Sequence, residues 1–128
     1  MNTVSPAAQQ VRFKNLPWIA AAVLGFAAWM ALGAASSHRE SWDDSLYFLA
    51  LLPALSICAG VAGWLAPRRA WLVAPALIAG QFSALVVQNP GGSNLWPLTL
   101  VIFGLLHIPA LLLALLGGWL RRRSARRA

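Results

Sequence analysis

The sequence predicts an all-α, polytopic membrane protein that folds as an antiparallel bundle of four transmembrane helices. Of its 128 residues, 59% are hydrophobic and only 10% are charged, and the mean hydropathy is +0.66. The apolar residues fall into long runs separated by short polar breaks. Each run reaches the roughly 20 residues that a membrane-spanning helix needs. Because the connections are short, we expect one membrane-embedded unit without a separate soluble domain.

The chain divides into a membrane domain with a short segment on each side. Residues 1–16 form a polar amino-terminal segment, residues 17–120 the transmembrane domain, and residues 121–128 a basic tail. Within the domain, we expect the spans at about residues 17–36, 46–66, 70–88 and 96–120. Pro17 suits the first turn of a helix, where its missing N–H has no intrahelical partner to lose.

The first span has an alternative interpretation as a secretory signal peptide. It has a basic start, an apolar stretch, and small residues at Gly33, Ala34 and Ala35. The apolar core of a signal peptide is usually only about 7 to 15 residues long. This run is longer and contains Trp29 near its centre, which favours an uncleaved span.

Small residues recur at helical spacing in every span, which is typical of closely packed membrane helices. The predicted contact faces are Ala22, Gly25, Trp29 and Gly33; Pro53, Ser56, Gly60 and Gly63; Ala76, Gly80 and Ala84; and Gly104, His107, Leu111, Ala114 and Gly118. Pro53 and Pro109 each remove a backbone hydrogen bond, so we expect bends in the second and fourth spans.

The charge distribution predicts the orientation in the membrane. The net charge is +7 and the pI is about 11.7. The basic residues flank the hydrophobic runs, where they would meet anionic lipid headgroups and fix topology. These anchors are Arg12, Lys14, Arg68, Arg69, Arg121, Arg122, Arg123, Arg126 and Arg127. Both termini are therefore expected in the cytoplasm. Composition favours a bacterial inner membrane, and without aromatic residues among the tail arginines a nucleic-acid partner is not expected.

The only acidic stretch is the first connection, which contains Glu40, Asp43 and Asp44. Asp44 or Ser45 is expected to cap the second helix. A cation or partner site on the outer face is the alternative, although the spacing matches no calcium loop. The single cysteine, Cys58, has no partner for an internal disulfide and is expected to be a packing residue.

Three polar residues on different spans are expected at the same depth near the middle of the membrane: Ser56, Gln81 and His107. Since a buried polar group in lipid needs a partner, we expect them to meet in one hydrogen-bonded cluster. Such a cluster would hold helices together or, alternatively, would pass a proton or bind a small solute, because histidine titrates near physiological pH.

No cofactor or metal is expected. Zinc needs three or four ligands, which cannot be gathered near His107. Haem held by two histidines of one chain is excluded, because His38 belongs to the outer loop.

These features favour a non-catalytic accessory or oligomerising membrane protein, with itself or another membrane protein as partner. A transporter or channel for a small solute or proton, with His107 in its path, is the second hypothesis. A lipid-modifying enzyme is the third, and its acid would have to come from Glu40, Asp43 or Asp44.

Overall fold

The computed structural model describes residues 6–35, 44–91 and 95–127, with side chains from Asn15 onward in the first range. Those residues form five α-helices and no strand: α1 (Pro6–Ala35), α2 (Leu52–Leu65), α3 (Val73–Gln88), α4 (Trp96–Leu106) and α5 (Ile108–Ala125). A π-helical turn at Tyr47–Leu51 leads into α2, and a 3-10 turn at Ala70–Leu72 leads into α3. The all-helical class expected from the sequence is confirmed.

Three helical segments are long and apolar enough to cross a membrane: Asn15–Ala35, Tyr47–Leu65 and Ala70–Gln88. The pair α4 and α5 passes the same test together, but the two helices are bent by 44° at the break between them. The described residues therefore contain three such segments, or four if the bent pair counts as one span.

The first helix begins earlier than the sequence indicated. It starts at Pro6, and Pro17 lies inside it rather than in its first turn. Pro6 satisfies the preference for a first-turn position, since the first N–H groups of a helix have no partner. Pro17 lies in the helix interior, where its missing N–H removes one backbone hydrogen bond, yet the backbone stays helical through it.

Proline also explains the two irregular points in the later helices. Pro53 has no N–H for the carbonyl four residues earlier, and the π turn just before it carries the bond from Leu52 N–H to the Tyr47 carbonyl. Pro109 acts similarly on the last span, where the helix breaks at His107. The bend that the sequence suggested thus lies two residues before its proline.

Spans that follow each other along the chain run antiparallel, with α4 and α5 counted as one bent span, but the closest packing joins helices that run parallel. The chief packing partner of α1 is α3, and that of α2 is α5. Gly25 of α1 lies against Leu77, and Gly33 further along lies against Gln88, so contacts advance in the same direction on both helices. The same holds for Gly60 against Leu113 and Gly63 against Ala114.

Glycines make these parallel contacts possible because backbone meets backbone. A Cβ on Gly80 would overlap the carbonyl oxygen of Ala22, and a Cβ on Gly63 would overlap that of Ala114. A Cβ on Gly117 would overlap the carbonyl oxygen of Gly60. Close approach through small residues is how membrane helices gain packing energy in the absence of a hydrophobic driving force.

Two residues of the predicted faces, Pro53 and Gly104, lie elsewhere. Pro53 is exposed, and the buried residues of α2 are Leu55, Ser56, Ala59 and Gly63. Gly104 is exposed, and a Cβ added to it would meet nothing within 4 Å. The buried stripe of the last span instead runs through Phe103, His107, Ala110 and Ala114. Successive residues of a helix are about 100° apart around its axis, so burying Phe103 turns Gly104 outward.

The buried apolar side chains form two clusters, one above the other along the bundle. The small-residue cluster contains Ala21, Leu55, Ala59, Val73, Ala74, Ala76, Leu77, Ala110 and Ala114. The aromatic cluster contains Trp29, Leu32, Tyr47, Ala84 and Phe103.

The described charges separate to opposite ends of the molecule. At one end, here called the basic end, the Arg69 guanidinium bonds the Asn15 side chain, and Arg122 Nη1 donates to the Pro67 carbonyl at 2.6 Å. The start of the first span, the turn at 66–69 and the end of α5 therefore meet there. Asp44 precedes the π turn at the other end.

Candidate functional site in the centre of the bundle

The three polar residues that the sequence singled out are all buried. Ser56, Gln81 and His107 have exposed fractions of 4%, 0% and 1%. Along its helix, Gln81 lies between Leu77 of the small-residue cluster and Ala84 of the aromatic cluster, and His107 lies between Ala110 and Phe103. The three residues therefore form a polar layer between the two apolar clusters.

Ser56 satisfies its hydroxyl within its own helix. Its Oγ donates to the carbonyl oxygen of Leu52 at 2.8 Å. This local bond is common for serine in apolar helices and needs no partner from a neighbouring helix. Ser56 belongs to the polar layer by position, but this hydrogen bond joins it to neither Gln81 nor His107.

Gln81 finds its partner in Tyr47, a residue that sequence reasoning missed. The Tyr47 hydroxyl donates to Gln81 Oε1 at 3.2 Å, and both side chains are fully buried. The other end of the carboxamide, Nε2, has no hydrogen-bond partner in the described part of the chain. A buried amide of this kind retains two unused N–H donors.

His107 is held by the turn that precedes it. Its Nδ1 lies 2.9 Å from the carbonyl oxygen of Phe103. A carbonyl oxygen only accepts, so Nδ1 carries the proton and Nε2 of the neutral ring is an acceptor. Nε2 is buried, and among the residues described it has no partner.

The polar layer thus contains one unused donor and one unused acceptor rather than a closed network. Gln81 Nε2 offers N–H groups, and His107 Nε2 offers a lone pair. Within the ranges 15–35, 44–91 and 95–127, no group of three or more metal-binding side chains accompanies them.

Three aromatic side chains and one amide side chain lie next to the polar layer, on the side away from the basic end. Trp29 stacks edge to face with Phe103 at a centroid distance of 5.2 Å and with Tyr47 at 5.9 Å. Its indole N–H donates to Gln88 Oε1 at 3.0 Å. Trp29 is the residue from which the sequence could have indicated these contacts, because an indole N–H in mid-span requires a partner.

Several of the predicted lipid anchors make contacts that fix them at the basic end. The Arg121 guanidinium lies 5.7 Å from the centroid of Trp64, and that of Arg123 lies 5.0 Å from Trp119. Arg68, Arg126 and Arg127 are exposed. The side chains of Arg12 and Lys14 lie outside the described residues.

Asp44 is the acidic residue of the first connection that lies among the described residues. Asp44 Oδ1 accepts a hydrogen bond from Leu46 N–H at 2.9 Å, which is the capping role expected of it. His38, Glu40 and Asp43 lie outside the described residues, and so does any cation site that they would form.

Comparison with known proteins adds no relative to this picture. No protein family, curated protein or solved structure matches the chain.

Proposed function

We propose that this chain is a small, non-catalytic integral protein of the bacterial inner membrane that works by packing against a second copy of itself or another membrane protein. Both termini lie in the cytoplasm, and residues 15–125 cross the bilayer as four spans, the last of them bent. The clustering of Arg69, Arg121 and Arg122 at one end supports this orientation, since basic residues favour the cytoplasmic side.

The observation that carries the proposal is the loose packing of α4. Only Thr99 and Phe103 of this helix are buried. Val101 and Leu105 are 59% and 62% exposed, and Gly104 between them is open to the outside. A glycine flanked by exposed apolar residues on a membrane helix provides the flat surface that another helix can approach closely.

Photocrosslinking tests this proposal. A photoreactive residue at Val101 or Leu105 should give protein adducts, either a dimer or a larger product, in native membranes. The matched control is Leu49 at the start of the second span, which is 78% exposed but has no neighbouring glycine. If positions 101 and 105 react with lipid alone, as position 49 is expected to do, then α4 is not an interaction surface.

A transporter or channel for a proton or small solute is the second candidate. The unused donor on Gln81 and the unused acceptor on His107 favour it, because paths through membranes are built from such polar groups. His107 has no described acidic neighbour at its depth, and for this reason we place the interaction function first.

Flux measurements separate the two functions. Purified protein in vesicles should carry no pH-dependent flux if the chain is an interaction protein. If flux is present in the wild type and absent in His107→Leu, the transporter hypothesis replaces the first proposal. Loss of a lipid-modifying activity when Glu40, Asp43 and Asp44 are all replaced by their amides would instead favour an enzyme.

A further inference from the structure

Two apolar grooves run along the outer side of α2 and share one wall. The α1–α2 groove encloses about 270 Å³, with Pro17, Ala20, Leu24, Cys58, Ala62 and Leu65 in its lining. The α2–α5 groove encloses about 410 Å³, with Gly60, Trp64, Leu113, Leu116, Gly117 and Leu120 in its lining. Ile57 and Val61 line both grooves and stand between them as a ridge, 64% and 56% exposed.

We propose that one anionic phospholipid sits astride this ridge, with one acyl chain in each groove and its phosphate at the basic end. This inference rests on the proposed membrane insertion. It assigns a defined lipid site to a surface that would otherwise contact bulk lipid.

The length of the ridge fits the acyl chains of one leaflet. From Ile57 to Leu65 the helix rises about 12 Å, and half of a typical hydrocarbon core is about 15 Å. A chain that enters from the basic end therefore remains in its groove through most of one leaflet. A helix is about 10 Å across, so a protein partner would rest on the ridge instead of entering the grooves.

The charge at the basic end of each groove complements a phosphate. The Arg121 guanidinium lies over Trp64, which lines the α2–α5 groove. Arg69 is bonded to Asn15, two residues before Pro17 of the α1–α2 groove, and Arg68 beside it is exposed. Arginine forms charge-assisted hydrogen bonds with phosphate, so an anionic lipid should be preferred over a zwitterionic one.

Cys58 makes the site testable because it is the only cysteine and lies exposed in the wall of the α1–α2 groove. Its rate of modification by a lipid-soluble maleimide is measured in phosphatidylcholine vesicles, with and without phosphatidylglycerol. The control is Cys58→Ala combined with Leu112→Cys. Leu112 is 60% exposed, adjoins Leu113, which contacts Gly60, and lines neither groove.

Phosphatidylglycerol should slow the modification of Cys58 but not that of the cysteine at position 112. In the double variant Arg68→Gln/Arg121→Gln the protection should fall by an order of magnitude or more, since each arginine near the surface adds roughly fivefold to anionic-lipid affinity. The inference would be overturned if phosphatidylglycerol changed the modification rates of both cysteines by the same factor, or if the double variant kept full protection.

The same samples separate this inference from the proposed function. Extraction at alkaline pH reports whether the chain is inserted in the vesicles, and circular dichroism reports whether the double variant keeps its helices. Protein that is extracted contradicts membrane insertion. Protein that is inserted and helical, but shows no selective protection of Cys58, contradicts only the lipid site.

Discussion

The Tyr47 hydroxyl donates to Gln81 Oε1 at 3.2 Å and joins the π turn before α2 to the middle of α3. Both side chains are fully buried, and the tyrosine is also packed edge to face against Trp29. This bond links the α2–α5 helix pair to the α1–α3 pair. Among the described residues, no other side-chain hydrogen bond joins a member of the polar layer to a different helix.

Tyr47→Phe should destabilise the protein modestly. The variant keeps the aromatic ring but leaves Gln81 Oε1 without its donor, and hydrogen bonds between membrane helices contribute about 0.6 to 2 kcal/mol. Unfolding by SDS in mixed micelles, followed by circular dichroism, measures the change. The double variant Tyr47→Phe/Gln81→Leu removes both partners and should recover much of the loss. Equal stability of Tyr47→Phe and wild type would indicate that the bond contributes nothing.

Alanine substitution of glycines should have opposite consequences at Gly80 and Gly104. At Gly80 a Cβ overlaps the Ala22 carbonyl, and forcing the parallel helices apart should cost about 1 to 3 kcal/mol. At Gly104 the Cβ meets open space, so alanine should be neutral or should stabilise the helix by up to about 1 kcal/mol. The same SDS titration compares them. A loss of equal size at both positions would contradict the parallel glycine contact.

The sequence was sufficient to predict the helices but not their mutual packing. The expected spans 46–66 and 70–88 correspond closely to Tyr47–Leu65 and Ala70–Gln88, because long apolar runs and turn residues define such segments. Which face is buried is harder to predict, since a membrane helix is apolar on all sides. Phe103 and Gly104 illustrate this, because each is a reasonable inward residue and only one is buried.

The sequence was sufficient to predict which polar residues of the candidate site are buried, but not which groups they bond. Gln81 and His107 are buried, as a polar residue in an apolar run had indicated. Their partners depend on geometry that no sequence pattern contains. The bend at His107 brings its ring back onto the Phe103 carbonyl, and the π turn at Tyr47–Leu51 includes the tyrosine that bonds Gln81.

The proposed orientation predicts opposite thiol accessibility at the two ends of the bundle. In a Cys58→Ala background, Gly91→Cys should react with an impermeant maleimide added outside intact cells. Ser124→Cys, in the last turn of α5, should react only after the membrane is permeabilised. Both positions are exposed, so burial does not bias the comparison. Reaction of both thiols from the same side would contradict the single crossing that the last span is proposed to make between residues 91 and 124.

His107→Leu should leave the stability unchanged or raise it slightly, whereas Gln81→Leu should lower it. The histidine ring bonds only the Phe103 carbonyl, which also accepts the backbone N–H of residue 107, and its Nε2 is a buried acceptor without a described donor. Replacing such a group with an apolar side chain removes a desolvation cost, while losing Gln81 leaves the Tyr47 hydroxyl without its acceptor, a penalty of about 1 to 3 kcal/mol. SDS unfolding of the two variants measures the contrast. If His107→Leu instead loses as much stability as Gln81→Leu, Nε2 accepts a hydrogen bond in the folded protein. A buried water that donates to the ring would then be its simplest source.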